Sequence, residues 1–122
     1  MSDERYTDGF LIPVKKSKLD DYTRAAEKCS AIWKEYGALD YAETVIDHDG
    51  IPNMRAFADA AGAGEDEVVV FSYVVYPSKE VRDAANEKIM ADPRMKEICE
   101  VSAPLFDCRR MAYGGFRTLV RA

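Results

Sequence analysis

Cysteine is sparse in this chain. Of 122 residues only Cys29, Cys99 and Cys108 carry a thiol, and no two have the close C-x-x-C spacing that zinc or dithiol chemistry uses. An odd, scattered set argues against a disulfide framework and fits free thiols in a reducing compartment. Histidine is scarcer still: His48 is the only one, and it lies far in sequence from every thiol that would need a base to become a nucleophile. Cys29 falls on an apolar helix stripe, where a free thiol serves as small hydrophobic filler, and Cys99 and Cys108 are read as inert. Positive charge is in deficit. Seventeen basic against 22 acidic residues leave a formal charge of -5, which works against a phosphate-binding surface and excludes nucleic acid as a partner. Long apolar runs are absent. The longest, Val68 to Tyr76, is too short to cross a bilayer, and the N-terminal MSDERYTDG lacks the charged-then-apolar layout of a signal peptide. A cytoplasmic location and no membrane partner are expected. No tract is of low complexity or resembles a disordered tail. A chain of this length buries a core without metal or disulfide staples, so one domain over residues 1–122 is expected, and no motif asks for a cofactor or a metal.

What is present is dominated by VVVFSYVVY, Val68 to Tyr76. Side chains alternate across a sheet, so Val69, Phe71, Tyr73 and Val75 point one way and Val68, Val70, Val74 and Tyr76 the other. Both faces of this strand are apolar, so both need cover. Around it the pattern reads as further elements. Tyr6 to Val14 alternates as a strand ending at Pro13. Ser17, with Asp20 three residues on, resembles an N-cap with an acidic first turn. The stripe Leu19, Tyr22, Ala26, Cys29, Ile32, Trp33 and Tyr36 has helical spacing, and Gly37 supplies the stop. Leu39 to Ile46 is a strand with Tyr41 and Glu43 on one face. A long connection follows, in which Met54 to Ala61 forms a short helix. After Pro77, Ser78 caps a helix through Met90, Asp92-Pro93 separates it from a further short helix, and a last strand runs from about Arg110 to Val120. The order of strand, helix, strand, strand, helix, strand is the split βαβ of ferredoxin-like α+β domains. That layout puts the most apolar strand in the middle of a four-stranded antiparallel sheet, with the helices on one face and the other bare. A bare apolar face marks an interface or a pocket.

The segments YTDGFLIPV, AIWKEYGALDYAE, VVVFSYVVYPSKEVRDAANEKIMADPR and PLFDCRRMAYGGF together resemble the YbaA-like family of small bacterial proteins, domain of unknown function 1428. The resemblance runs over nearly the whole chain, with RDAANEKIMADPR its most specific part. It implies the dimeric alpha-beta barrel form of the ferredoxin-like fold, in which two sheets face each other across a homodimer, and it implies no reaction. Two departures from the family pattern stand out: Tyr73 where a tryptophan is expected, and the stretch from His48 to Ala63. The wider superfamily holds cofactor-independent monooxygenases, isomerases and decyclases, and fold-level analogy of that kind carries little about function.

Several residues invite a chemical reading. His48 in DHDG suggests metal or acid-base work, but Asp and Gly favour turns for backbone reasons alone. Tyr41 and Glu43 place a carboxylate beside a phenol, either as a polar site in a pocket or as an edge-strand carboxylate facing solvent or an arginine. Phe71 and Tyr73, on the other face of their strand, line a pocket or pack across a dimer. Arg82 and Asn86, one helical turn apart, are read as structural donors, and Asp107 with Arg109 and Arg110 as a salt bridge fixing a loop. GAGED, Gly62 to Asp66, precedes a strand rather than following one, the reverse of a nucleotide-binding loop. Gly114-Gly115 is a packing device within the last strand. The sequence thus leads to a homodimer through the open sheet face, with Tyr41, Glu43, Phe71 and Tyr73 as ligand-binding candidates for a small, largely apolar molecule. A monooxygenase- or isomerase-like enzyme, using Tyr41, Glu43 or Asp8 as polar groups, and a non-catalytic binding or regulatory module are the alternatives.

Overall fold

The computed structural model describes residues 4–105 and 107–122. Residues 1–3, which open the segment read above for a signal layout, and residue 106 lie outside the described residues. Four strands, β1 (Tyr6–Lys15), β2 (Asp40–Val45), β3 (Glu67–Tyr76) and β4 (Ala112–Arg117), form one sheet in the order β2-β3-β1-β4. All three pairings are antiparallel. The apolar strand β3 and its partner β1 therefore occupy the middle, as the element order requires of a ferredoxin-like α+β fold. Helices α1 (Leu19–Glu35), α3 (Lys79–Ala91) and α4 (Pro93–Ser102) complete the frame, and a five-residue helix, α2 (Phe57–Ala61), sits in the long β2–β3 connection.

Even-numbered residues of β1 and β3 face the three long helices. Ile12, Val14 and Val70 bury against Tyr22 of α1, while Val74 and Tyr76 bury against Ile32 of α1 and Ala85 and Ile89 of α3. Odd-numbered residues face the other way, which is the alternation expected of a pleated strand. Coverage on that second face is uneven. Val69 and Pro13 are buried, whereas Phe71, two residues along β3 from Val69, is 45% exposed. The difference comes from α2: Phe57 meets Phe71 edge-on, ring centroids 6.2 Å apart, so the β2–β3 connection folds under one end of the open face. The rest of that face, with Leu11, Phe71, Tyr73 and Phe116 around a concavity of about 650 Å³, stays open.

Local signals explain most of the boundaries. Ser78 caps α3 by accepting from the Val81 N–H at 3.2 Å, and Asp92 caps α4, whose first residue is Pro93. Gly37, at φ 112°, closes α1 in a conformation that only glycine adopts freely. β1 continues through Pro13 to Lys15 rather than ending at the proline. β4 covers β1 only between Tyr6 and Leu11, so at Pro13 the strand has a single neighbour and tolerates a missing donor. Ser17 is not a cap. Residues 16–18 form a single 3-10 turn, α1 begins at Leu19 with no side-chain cap, and the Lys16 N–H is taken by Asp66 O at 2.9 Å, a tertiary contact that overrides the local capping pattern. The helix expected from Met54 starts three residues later, at Phe57. Its first N–H groups, from Phe57 and Ala58, donate to the Asp49 carboxylate at 2.8 and 3.1 Å, so the DHDG segment serves as a clamp on α2 while His48 stays exposed. β4 is shorter than expected, and Gly9 and Gly114 pair across the ladder where the Phe116 ring lies over both. A Cβ on Gly114 would sit 3.1 Å from that ring.

Candidate functional site

The helix side of the sheet holds a chamber whose existence follows from the α1 stripe. Tyr22 and Trp33 are large, but Ala26 and Cys29 between them are small, and the gap they leave against Ile12, Ser72 and Val74 is closed on the far side by Met95 and Ile98 of α4. The chamber measures about 220 Å³. A second hollow of about 290 Å³ opens between α1 and the β2 edge, lined by Leu19, Thr23 and Val45. Both are lined by Tyr22, Ala26, Tyr41 and Glu43.

At that junction the Tyr22 hydroxyl donates to Glu43 Oε1 and the Tyr41 hydroxyl donates to Glu43 Oε2, each at 2.6 Å, the short length of a charge-assisted bond. Burial first, and then the Glu43 charge, push both phenols well above the ordinary tyrosine range, so they remain protonated donors at any physiological pH. No cation forms a salt bridge with Glu43 among the described residues. A half-buried carboxylate held by phenols alone is unusual, since buried charges are ordinarily paired with an opposite charge or a metal. Ser72 lies directly across the ladder from Glu43. Burial pushes the Cys29 thiol up to about 11, which keeps this wall residue protonated and unreactive.

The four residues singled out from the sequence thus fall into two places. Tyr41 and Glu43 are on the helix-covered face and meet each other, and no arginine pairs with the carboxylate among the described residues. Phe71 and Tyr73, ring centroids 6.3 Å apart, are on the open face with Phe116. The sheet separates the two pairs. Tyr22, the second donor to Glu43, was visible in the sequence only as a member of the helical stripe.

A second polar cluster lies at the other end of the same covered face. Asp8, 3% exposed, accepts from Tyr113 Oη at 2.8 Å and from Arg82 Nε at 3.2 Å to each oxygen, and Arg82 also donates to Tyr113 and stacks over the Tyr6 ring at 5.2 Å. Burial raises the Asp8 pKa even though Arg82 opposes it. These contacts tie β1, β4 and α3 together, and no described cavity opens onto the carboxylate, so Asp8 and Arg82 have a framework role. The Tyr76 hydroxyl is fully buried nearby, and the Trp33 indole opposes, as a hydrogen-bond donor, the rise that burial imposes on its pKa. Asp107 bonds Arg109, and Arg110 grips Glu67 with two bonds of 2.8 Å while also donating to Gly62 O, which ties the strand β3 and the end of α2 to the segment before β4. Among the described residues no three His, Cys, Asp or Glu side chains come together as metal ligands, and no helix is long and apolar enough to cross a membrane.

Comparison with known proteins places this geometry in context. The fold is similar to that of SnoaB, a cofactor-independent oxygenase from Streptomyces nogalater, with a TM-score of 0.63 at 12% identity over 97% of this chain and 96% of that one. It is similar to a NIPSNAP-like domain protein from Burkholderia xenovorans, TM-score 0.62 at 14% identity, covering 98% of this chain and 90% of that one. A dimeric protein of ferredoxin-like fold and unknown function from Bacteroides fragilis matches at TM-score 0.60 and 10% identity, over 97% of this chain and all of that one (100%). At such identities the likeness is one of fold. In sequence, the chain is 47% identical to the uncharacterized protein YbaA of Escherichia coli strain K12 over 116 residues, 95% of this chain and 97% of that protein. The model of the family described as protein of unknown function (DUF1428) matches residues 5–108, so the chain belongs to the DUF1428 family.

Proposed function

We propose that the protein binds a small, largely apolar molecule in the chamber between the sheet and α1/α4, and that it does so as a homodimer built through the open sheet face. The observation that carries the ligand site is Glu43: a carboxylate with two phenol donors and no salt-bridge cation, set in the wall of an otherwise apolar hollow of about 220 Å³. A few convergent polar groups in an apolar cavity are the usual form of a ligand site. Tyr41 and Glu43 are its ligand-binding residues. Phe71 and Tyr73 belong to the subunit interface, because they sit with Leu11 and Phe116 on a continuous apolar face that monomers rarely leave in water. The Bacteroides fragilis protein of similar fold is dimeric, which supports a dimer for this chain. Mass spectrometry of small molecules released from the purified protein tests the ligand site. Recovery of a compound in stoichiometric amount, lost from a variant with the chamber filled by Ala26→Phe, is the expected result. A ligand that persists in that variant contradicts the location.

A second reading, an isomerase- or monooxygenase-like enzyme needing no cofactor, is favoured by the same carboxylate-and-phenol arrangement and by the fold shared with SnoaB. In that chemistry Glu43 would take a proton from the substrate, while the Tyr22 and Tyr41 O–H groups, each donating to one of its oxygens, hold the carboxylate in place. Turnover abolished by Glu43→Gln but only reduced by Tyr41→Phe separates catalysis from binding.

A further inference from the structure

The chamber's lining selects among small molecules by charge. Among the described residues Glu43 is the only charged side chain in its wall, and the rings of Tyr22, Trp33 and Tyr41 line it as well. Trp33 and Tyr41 stand with ring centroids 5.9 Å apart and planes inclined at 54°, and the Tyr41 hydroxyl donates to Glu43, so an aromatic pair and the carboxylate share one stretch of the wall. Aromatic faces attract cations through the ring quadrupole, and aromatic cages are the recurring means of holding substituted ammonium groups. A carboxylate oxygen offers about two lone-pair sites. Each Glu43 oxygen takes one phenol, so acceptor capacity remains for a ligand's N–H. The described lining itself holds no Lys, Arg or His to pair with the carboxylate.

We propose that the chamber takes a primary or secondary amine carried on a single aromatic or similarly compact apolar body, with the ammonium against Glu43, Tyr41 and Trp33 and the body against Ile12, Val74 and Ile98. This rests on the reading of the chamber as a ligand site and names the class of its ligand. Size agrees with the assignment: an apolar cavity of about 150 Å³ holds benzene, and this one, at about 220 Å³, leaves room for a ring and a short amine tail. Charge agrees too. An anion would meet Glu43 with no cation in the chamber wall to offset it, and would approach a chain of formal charge -5.

The test compares four molecules with one ring each: phenethylamine, phenethyl alcohol, toluene and phenylacetate. Each is titrated into the full-length protein while the backbone amide signals of Ser72, Val74 and Ile98, at the chamber wall, are followed by NMR. Phenethylamine is expected to bind roughly tenfold or more tighter than toluene and phenylacetate, the scale of a desolvated cation–aromatic contact joined to an ion pair. In Glu43→Gln that advantage falls to about threefold or less while toluene binding is unchanged, since an amide keeps the shape and loses the charge. If phenethyl alcohol, toluene or phenylacetate binds as tightly as the amine at these amides, the amine assignment is overturned and the chamber stands as a ligand site. If no compound moves these signals, both are overturned. The ranking in the unaltered protein decides the matter even where Glu43→Gln does not fold.

Discussion

The two faces of one strand, β3, invite comparison. On the helix side Val70, Val74 and Tyr76 are 2%, 3% and 0% exposed; on the other, Val69 is 2% exposed and Phe71 is 45%. Composition does not distinguish the faces, since both are strings of valine and aromatic residues. Coverage does. Three long helices cover the even-numbered face from end to end, whereas the odd-numbered face has only α2, which reaches as far as the Phe57–Phe71 contact. An apolar strand in the middle of a sheet therefore reports a need for cover on both sides, and the chain supplies one cover and a fraction of the second. The polar groups are distributed in the opposite sense. The covered face contains the buried carboxylate Asp8 and the half-buried Glu43 with their phenol and guanidinium partners, and the open face is nearly free of such groups.

The largest contrast should come from deletions of similar size on the two faces. Ile89, 2% exposed beneath β3, should lose about 2–5 kcal/mol as Ile89→Ala, measured by urea unfolding. Phe71→Ala should cost less in the unfolding of the isolated protomer. A loss at Phe71 equal to that at Ile89 at every protein concentration would mean that the open face is part of the protomer's own core. Next in size is association. A carboxylate placed in the centre of the apolar face, Phe71→Asp, should weaken the dimer by about 2 kcal/mol or more, as central aromatic positions do, read from the concentration dependence of sedimentation. An unchanged dimer would move the interface elsewhere.

A smaller effect separates the two polar clusters of the covered face. Tyr41→Phe removes one of the two donors to Glu43 and should cost about 1 kcal/mol, accompanied by altered ligand binding in the chamber. Tyr113→Phe removes a donor to Asp8 at comparable cost and should leave the chamber's binding unchanged. Equal effects of both on binding would show that the clusters are coupled.

The smallest is a pH effect. Arg110 and the Gly64 N–H hold the Glu67 carboxyl down at about 2 from an ordinary 4.5. The unfolded chain thus takes up this proton before the folded one does, and the stabilisation, fully present above about pH 4.5, is lost as pH falls through about 2. Glu67→Gln should flatten that part of the acid-unfolding curve. A curve that keeps its slope would assign the acid sensitivity to other carboxylates.

Much of the frame was legible because it is local or periodic. The alternation in Val68 to Tyr76 assigned each side chain to its observed face, Ser78 and Asp92-Pro93 marked two helix starts, and the element order implied the strand order. The backbone bonds from Leu39 to Val75 and from Ile46 to Val69 even extend β2 to the span expected from its pattern. What was illegible depends on contacts between distant residues. Tyr22 meets Glu43 across 21 positions, Arg82 meets Asp8 across 74 and Tyr113 meets Asp8 across 105, and no spacing rule connects such pairs. Ser17 shows the converse: its capping signature is sound locally, but the 3-10 turn and the Lys16–Asp66 bond place it elsewhere. The β2–β3 connection hid its role for a related reason. Its helix is only five residues long, too short for a periodicity signal, yet it is the element that divides the second face into covered and open halves.

The central claim is that the uncovered half of that face is closed by a second copy of the chain. Multi-angle light scattering of the unaltered protein at micromolar concentration tests it most directly. The account predicts a single species at twice the 13.7 kDa mass of the chain, and a homogeneous monomer under those conditions would contradict it.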